Sequence, residues 1–186
     1  MTEALVLLSG GIDSAACVVF YKQLGHGVAG IFVDYGQPAR AQEEKSADSI
    51  AAHYNIPLTK IRCAGPQTNY AGEIAGRNAL LVFAALLFRP IEPGIIALGV
   101  HHGTAYYDCS ESFTADLARI ISGYTNGKVA LGVPFLNWDK PMIVQFAGEN
   151  KMPFELTWSC EVGPATACGK CLSCRDRGKL NVRSSI

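Results

Sequence analysis

An α/β fold built on a doubly wound, Rossmann-like parallel sheet is predicted by three observations. Short apolar runs alternate with helical patterns through most of the 186 residues. A glycine pair stands between the first apolar run and the first helical pattern. Four cysteines crowd the C-terminal end and predict a metal-binding extension. Strands separated by helical segments imply right-handed βαβ units with helices on both faces of the sheet. Ligands in such sheets bind at the carboxyl ends of the strands.

The elements follow in order. Residues 4–8 are a run of Ala, Leu and Val with no polar interruption, the pattern of a strand buried on both faces. Residues 13–24 form a first helix that opens on Asp13 and Ser14, both good helix-starting residues. A second strand is read at 28–34 and a second helix, charged along one side, at 39–54. A third strand at 58–63 leads through a glycine-containing loop to a helix at 78–88. A strand at 95–100, a helix at 112–122, a short strand at 129–131 and a helix at 141–149 complete the alternation. Residues 1–154 are read as one nucleotide-binding domain and residues 155–186 as an extension packed on it.

Composition narrows the function classes. Hydrophobic residues make up 49% and charged residues 17%, which suits a packed core and excludes a disordered chain. Sixteen basic and sixteen acidic side chains cancel. A protein that grips tRNA or duplex usually carries a basic surplus to displace counterions, so nucleic acid is not expected as a partner. The N-terminus lacks the basic start of a signal peptide. The longest apolar run, 79–88, is shorter than the roughly 20 residues needed to cross a bilayer. A cytoplasmic protein without a membrane partner is expected, with reduced thiols.

Ser9, Gly10, Gly11, Ile12, Asp13 and Ser14 form the first candidate site. Paired glycines let the backbone approach an anion closely, and the helix that follows adds unpaired N–H groups and the positive end of its dipole. The serine hydroxyls can donate hydrogen bonds, and Asp13 can hold magnesium or cap the helix. No lysine of the Walker type follows, so this is a different kind of phosphate loop. The pattern SGGxDS resembles the signature of PP-loop ATP pyrophosphatases, which cleave ATP between its α- and β-phosphates.

Cys160, Cys168, Cys171 and Cys174 form the second site. Four thiolates at these spacings suit tetrahedral zinc, closed and therefore structural. An iron–sulfur cluster or a redox CxxC pair could use the same residue types. Cys17 and Cys63 read as packing residues.

With both sites present, the chain resembles the 7-cyano-7-deazaguanine synthase (QueC) family over nearly its whole length. SGGIDS looks like that family's phosphate loop, and Asp34-Tyr35-Gly36-Gln37 like its DYGQ segment. Gly76-Arg77-Asn78 is similar to its PGRN segment, Gly99-Val100 to the pair ending its fourth strand, and Tyr107-Asp108-Cys109 to part of its YPDCR segment.

The resemblance implies an ATP-dependent ligase that adenylates the carboxylate of 7-carboxy-7-deazaguanine and lets ammonia displace AMP. A second activation then converts the amide into a nitrile. It further implies that Ser9, Gly10, Gly11, Ile12, Asp13 and Ser14 hold pyrophosphate and Mg2+. Asp34, Gln37, Arg77, Asn78 and Gly99 complete the ATP site, Asp13, Ser14, Arg77 and Asp108 are the catalytic set, and Zn2+ is structural. A homodimer is expected by analogy with the family.

Three departures from the family pattern stand out. Ser110 replaces the arginine that follows Asp-Cys, Tyr107 replaces a proline, and the segments after Val100 and after Cys63 are short. A loop altered in this way suggests a changed acceptor. QueC-like enzymes of bacterial antiphage operons are the comparison, with a protein N-terminal amine in place of ammonia and no nitrile formed. His101 or His102 would then be candidates for the general base. A tRNA thiolase of the same superfamily and a degenerate, non-catalytic nucleotide-binding module are the remaining functional classes that the pattern admits.

Overall fold

The computed structural model describes residues 2–63, 65, 73–103, 105–163, 165–180 and 182. Most of the loop between Cys63 and Gly76 lies outside these residues, as do Thr104 and the last residues of the C-terminal extension. Five parallel strands, β1 (Glu3–Leu7), β2 (Gly27–Asp34), β3 (Leu58–Arg62), β4 (Gly94–Ala97) and β5 (Val129–Gly132), stand in the order β3-β2-β1-β4-β5. Between them run α1 (Ile12–Gln23), α2 (Arg40–Tyr54), α3 (Arg77–Phe88) and α4 (Glu111–Thr125), followed by α5 (Lys140–Glu149) and α6 (Leu172–Lys179).

Strand β1 shows why the sheet must be covered on both sides. Ala4, Val6 and Leu8 face one hydrophobic cluster, shared with Ala15 and Val18 of α1, Ile50 of α2 and Ile143 of α5. Leu5 and Leu7 face the other, shared with Val82 of α3 and Leu117 and Ile121 of α4. Alternate residues thus enter opposite cores, which is why the strand reads as one unbroken apolar run.

The chain winds outward from β1 to β3 on one side, then crosses back to β4 and β5 on the other. The reversal leaves a crevice above the carboxyl ends of β1 and β4, the place where open α/β sheets bind ligands. The expected doubly wound sheet is what the chain forms.

Several boundaries differ from the sequence expectation for local physical reasons. Strand β4 ends at Ala97, not at residue 100: Leu98 N–H still reaches the Gly132 carbonyl at 2.8 Å, and the chain then leaves the sheet to pass over the start of α1. Helix α4 runs on to Thr125, whose hydroxyl donates to the Ile121 carbonyl, and it stops at Asn126 in the left-handed conformation. Helix α6 has no counterpart in the sequence expectation. Its residues, LSCRDRGK, are few and charged, with no apolar stripe to mark a helix. No described helix is long and apolar enough to cross a membrane.

The C-terminal segment packs beside the phosphate loop. Trp158 and Cys160 are buried against Ala39, with Ala167 and the other three clustered cysteines around them.

Candidate functional site

The loop after β1 is shaped by its glycines. Gly10 has φ +81°, a left-handed conformation, and a Cβ there would lie 2.5 Å from the Glu43 carbonyl oxygen. Only glycine permits this approach of the loop to α2. Gly11 caps α1 in extended conformation, and its carbonyl accepts from Ala15 N–H and from the Ser14 hydroxyl, both at 3.0 Å. Ser14 is buried, and Ser9 donates to its hydroxyl oxygen at 3.2 Å. The Ile12 side chain belongs to the core. What Ile12, Asp13 and Ser14 offer a ligand is the set of first-turn N–H groups that no helix satisfies internally.

Gly99 explains how β4 reaches this loop. A Cβ there would sit 3.0 Å from the Asp13 carbonyl and 3.2 Å from Ser14 N, so the strand end lies directly against the first turn of α1. Two residues on, His101 turns its Nε2 toward Asp13 at 3.9 Å. Its Nδ1 accepts the Gly103 N–H at 2.9 Å, so in the neutral ring the proton sits on Nε2 and faces the carboxylate. Burial lowers its pKa below the ordinary 6.5; Asp13 opposes the shift and Lys140 adds to it. A ring in this tautomer is a donor toward the site, not a free base.

Lys140, the first residue of α5, closes the constellation, with Nζ 2.5 Å and 2.6 Å from the two Asp13 oxygens. Sequence reasoning missed it. The residue stands 127 positions from Asp13, and its only local signal is a helix start, with Asp139 as the cap accepting Met142 N–H at 2.9 Å.

The DYGQ segment builds a neighbouring pocket. Asp34 ends β2, is buried, accepts Gly36 N–H at 3.0 Å, and pairs with Arg40 at 3.3 Å and Arg62 at 3.5 Å. The Gln37 side chain is fully engaged: it accepts from Tyr35 N–H and donates to the Val33 carbonyl and to Glu43 at 2.9 Å. Burial pushes the Glu43 carboxyl upward, while Gln37 and Arg77 oppose the shift. Gln37 and Glu43 thus brace the loop, and Tyr35, Gly36, Pro38, Cys63 and Arg77 line a cavity of about 280 Å³. Burial also raises the Tyr35 hydroxyl, with the nearby Arg77 acting against it.

Asn78 is buried, accepts from Arg77 Nε at 3.2 Å and donates to the Asp108 carbonyl at 3.0 Å. Its side chain joins α3 to the 3-10 turn at Tyr107–Cys109. The Asp108 carboxyl is also buried, and its Oδ2 has no hydrogen-bond partner among the described residues. Beside it lies an open cleft of about 550 Å³, lined by His102, Tyr106, Tyr107, Cys109 and Ser110. Ser110, where the family pattern has arginine, caps α4 and accepts Phe113 N–H at 3.2 Å. The candidate residues therefore fall into three groups: the 9–14 loop with Gly99, the Gln37–Arg77 pocket next to Asp34, and buried Asp108 next to the second cleft, tied to Arg77 through Asn78.

The sulfurs of Cys160, Cys168, Cys171 and Cys174 lie within 4.8 Å of one another, with Cys168 and Cys174 4.0 Å apart. Four thiolates around a metal at about 2.3 Å would stand roughly this far apart, so the set fits one ion. Backbone N–H groups of Lys170 and Cys171 bring the Cys168 thiol down to about 6, the deprotonated form a metal requires. Burial, and then a hydrogen bond with Cys171, push the Cys174 thiol up to about 12.

Residues 3–69 and 64–181 match the model of the family described as queuosine biosynthesis protein QueC. A 7-cyano-7-deazaguanine synthase from Prochlorococcus marinus (strain MIT 9312) is 34% identical over 204 aligned positions, covering 93% of this chain and 90% of that protein. Another, from Methanoculleus marisnigri, is 31% identical over 205 positions, covering 95% and 92%. These alignments exceed the 186 residues of the chain, so the relatives carry segments that it lacks.

Among solved structures, the U34-tRNA thiolase NcsA of Methanococcus maripaludis with its [4Fe-4S] cluster superposes with a TM-score of 0.56 at 15% identity. This chain spans 95% of its own length there but 63% of the thiolase. NMN synthetase from Francisella tularensis gives 0.52 at 14%, covering 98% of this chain and 73% of that one. At such identities the likeness extends to the fold alone. With a family match across nearly all of its length and relatives a third identical, the chain belongs to the QueC family.

Proposed function

We propose that the chain is an ATP-dependent carbon–nitrogen ligase that converts 7-carboxy-7-deazaguanine to 7-cyano-7-deazaguanine, with ammonia as the nitrogen source. The observation that carries this reading is the loop at 9–14, with Lys140 held on Asp13 at its mouth, in a chain whose full-length relatives bear that activity in their names.

A carboxylate oxygen is a poor leaving group. In the proposed first step it attacks the α-phosphorus of ATP, a new O–P bond forms, and the bond to the β-phosphate breaks. The first-turn N–H groups of α1 and the Lys140 ammonium offset charge on the departing pyrophosphate. Asp13 would hold Mg2+, which when bound would neutralise part of the phosphate charge. Ammonia then attacks the activated carbonyl carbon and AMP leaves with the carboxylate oxygen.

For the nitrile, the amide oxygen attacks the α-phosphorus of a second ATP and pyrophosphate leaves as one N–H proton is lost; departure of AMP with the remaining N–H proton then leaves the carbon–nitrogen triple bond. Arg77, which lines the 280 Å³ cavity, is suited to a phosphate or carboxylate oxygen. The buried, unpartnered Asp108 Oδ2 is suited to a ring N–H of the base, because an acceptor left unsatisfied in the interior is costly. The four cysteines are assigned to structural Zn2+, since four thiolates leave no open position. A reducing cytoplasm suits that site.

Incubation with Mg2+, ATP and 7-carboxy-7-deazaguanine, with and without ammonium, tests the reading. It requires nitrile and AMP when ammonium is present. A protein N-terminal amine is the second acceptor to consider, favoured by the open cleft beside Asp108, where Ser110 leaves room that an arginine would fill. Amide or adenylate accumulating without nitrile would select that second reading.

A further inference from the structure

The phosphate loop is gripped from outside its own βα unit. The Trp158 N–H donates to the Gly10 carbonyl at 2.9 Å. Gly10 C=O and Gly11 N–H belong to one planar trans peptide, so fixing the oxygen fixes the opposite direction in which Gly11 N–H points. That N–H is one of the donors available to an anion in the loop, and it now lies 3.5 Å from Ser9 Oγ.

What holds Trp158 is a buried arginine. Arg177 is 7% exposed, and its guanidinium donates to Thr157 Oγ1 at 2.8 Å, to Ser159 Oγ at 3.1 Å and to the Phe154 carbonyl at 2.8 Å. It therefore clamps the chain on both sides of Trp158. The Trp158 indole adds a bond to the Cys160 carbonyl at 2.8 Å. Arg177 stands on α6, which is capped by Cys171 and carries Cys174 in its first turn. The other end of the extension is fixed at Gly163, where a Cβ would overlap the Pro38 carbonyl ahead of α2.

A buried guanidinium loses much of its hydration, and the planar fork recovers this only while acceptors such as Thr157 Oγ1, Ser159 Oγ and the Phe154 carbonyl keep their places. Such a group specifies one arrangement of residues 154–159 more sharply than apolar packing would. The path runs from the clustered cysteines through α6 to Arg177, then to the segment around Trp158, and ends on the peptide that opens the phosphate loop.

We infer that Arg177 is a positioning residue for the phosphate loop, holding Trp158 N–H on Gly10 so that Gly11 N–H is aimed at the bound anion. Occupancy of the cysteine centre is then linked to ATP affinity. The inference rests on the reading of residues 9–14 as a phosphate site.

The test uses the metal-loaded full chain and compares Arg177→Met, Arg177→Lys and the double variant Thr157→Val with Ser159→Ala. Hydrogen exchange is followed at residues 9–14, and KM for ATP is measured separately from kcat. Arg177→Met should speed exchange at Gly11 and raise KM for ATP about tenfold, the value of one hydrogen bond, with kcat changed far less. Arg177→Lys should recover part of the loss. Chelating the metal from the unaltered chain should speed exchange in the same residues.

If Arg177→Met does not fold, the double variant removes the Thr157 and Ser159 acceptor contacts from the other side and carries the same expectation. Exchange and KM at the loop left unchanged, with only residues 154–160 loosened, would overturn the inference. Exchange needs no nucleotide, so an unaltered chain that binds no ATP would count against the assignment of the loop itself.

Discussion

Lys140 and Asp13 are opposite charges about a quarter exposed, held 2.5 Å apart beside the 9–14 loop. In the resting chain each neutralises the other. On the proposed function, pyrophosphate would give the lysine a stronger partner and leave the carboxylate for a cation. Lys140→Met should therefore lower AMP formation by roughly 10²–10³, the usual loss for one charge-stabilising donor, with little change in melting temperature.

Gly10→Ala belongs to a different class, because it forces a side chain into left-handed backbone and into the Glu43 carbonyl. It should cost about 2 kcal/mol or more and lower the melting temperature by about 5 °C. His101 predicts a pH effect. Burial lowers its folded pKa beneath the unfolded one, so as pH falls the unfolded chain binds the proton first. Stability should be full above 6.5 and decline as pH drops through the lowered folded value, less steeply in His101→Gln. Asp13, Lys140, Asp139 and His102 all bear on this ring, and a melting series from pH 7.5 to 5 reads the difference.

The 9–14 loop stands out in the sequence because the whole pattern SGGxDS falls between a buried strand and the first helix, where a glycine pair alone would read as an ordinary turn. Lys140 does not, and His101, a candidate base in the sequence, gives no sign there of its approach to Asp13, since both contacts depend on two distant helix ends and a strand end meeting in space.

At the scale of elements, the caps carry the testable content. Ser110 and Asp139 each accept an N–H three residues on, at the starts of α4 and α5. Either replaced by alanine should cost about 1 kcal/mol, near 3 °C in melting temperature. Asp139→Ala should also reduce AMP formation, because it frees the first turn that presents Lys140, whereas Ser110→Ala should leave that step alone.

The strands and α1 to α5 can be read because their apolar pattern answers to two buried faces. Strand β4 reads as longer than it is because the next apolar residues, Leu98 and Val100, stay buried in the core shared with α3 and α4 after the ladder has ended. Helix α6 escapes because its stability comes from the cysteine cluster and Arg177, not from an apolar stripe.

Across the whole molecule, a parallel sheet supplies the crevice and a C-terminal knuckle steadies one of its walls. Metal analysis should find one zinc per chain without the visible absorption of an iron–sulfur cluster, and chelation should lower the melting temperature. The order of the elements along the chain, and a ligand site at the carboxyl ends of the strands, follow from the alternation of patterns, whereas the strand order that sets the reversal between β1 and β4 does not. The docking of the cysteine extension against Gly10 does not, because nothing local in residues 155–180 points to the N-terminal loop.

The central claim is that this crevice transfers AMP to a carboxylate, and oxygen labelling tests it most directly. With 7-carboxy-7-deazaguanine carrying 18O in its carboxylate, ATP and ammonium, each AMP released on the way to nitrile should hold one labelled oxygen, with unlabelled pyrophosphate beside it. Label recovered in inorganic phosphate, together with ADP, would mean activation at the γ-phosphate and would contradict the account.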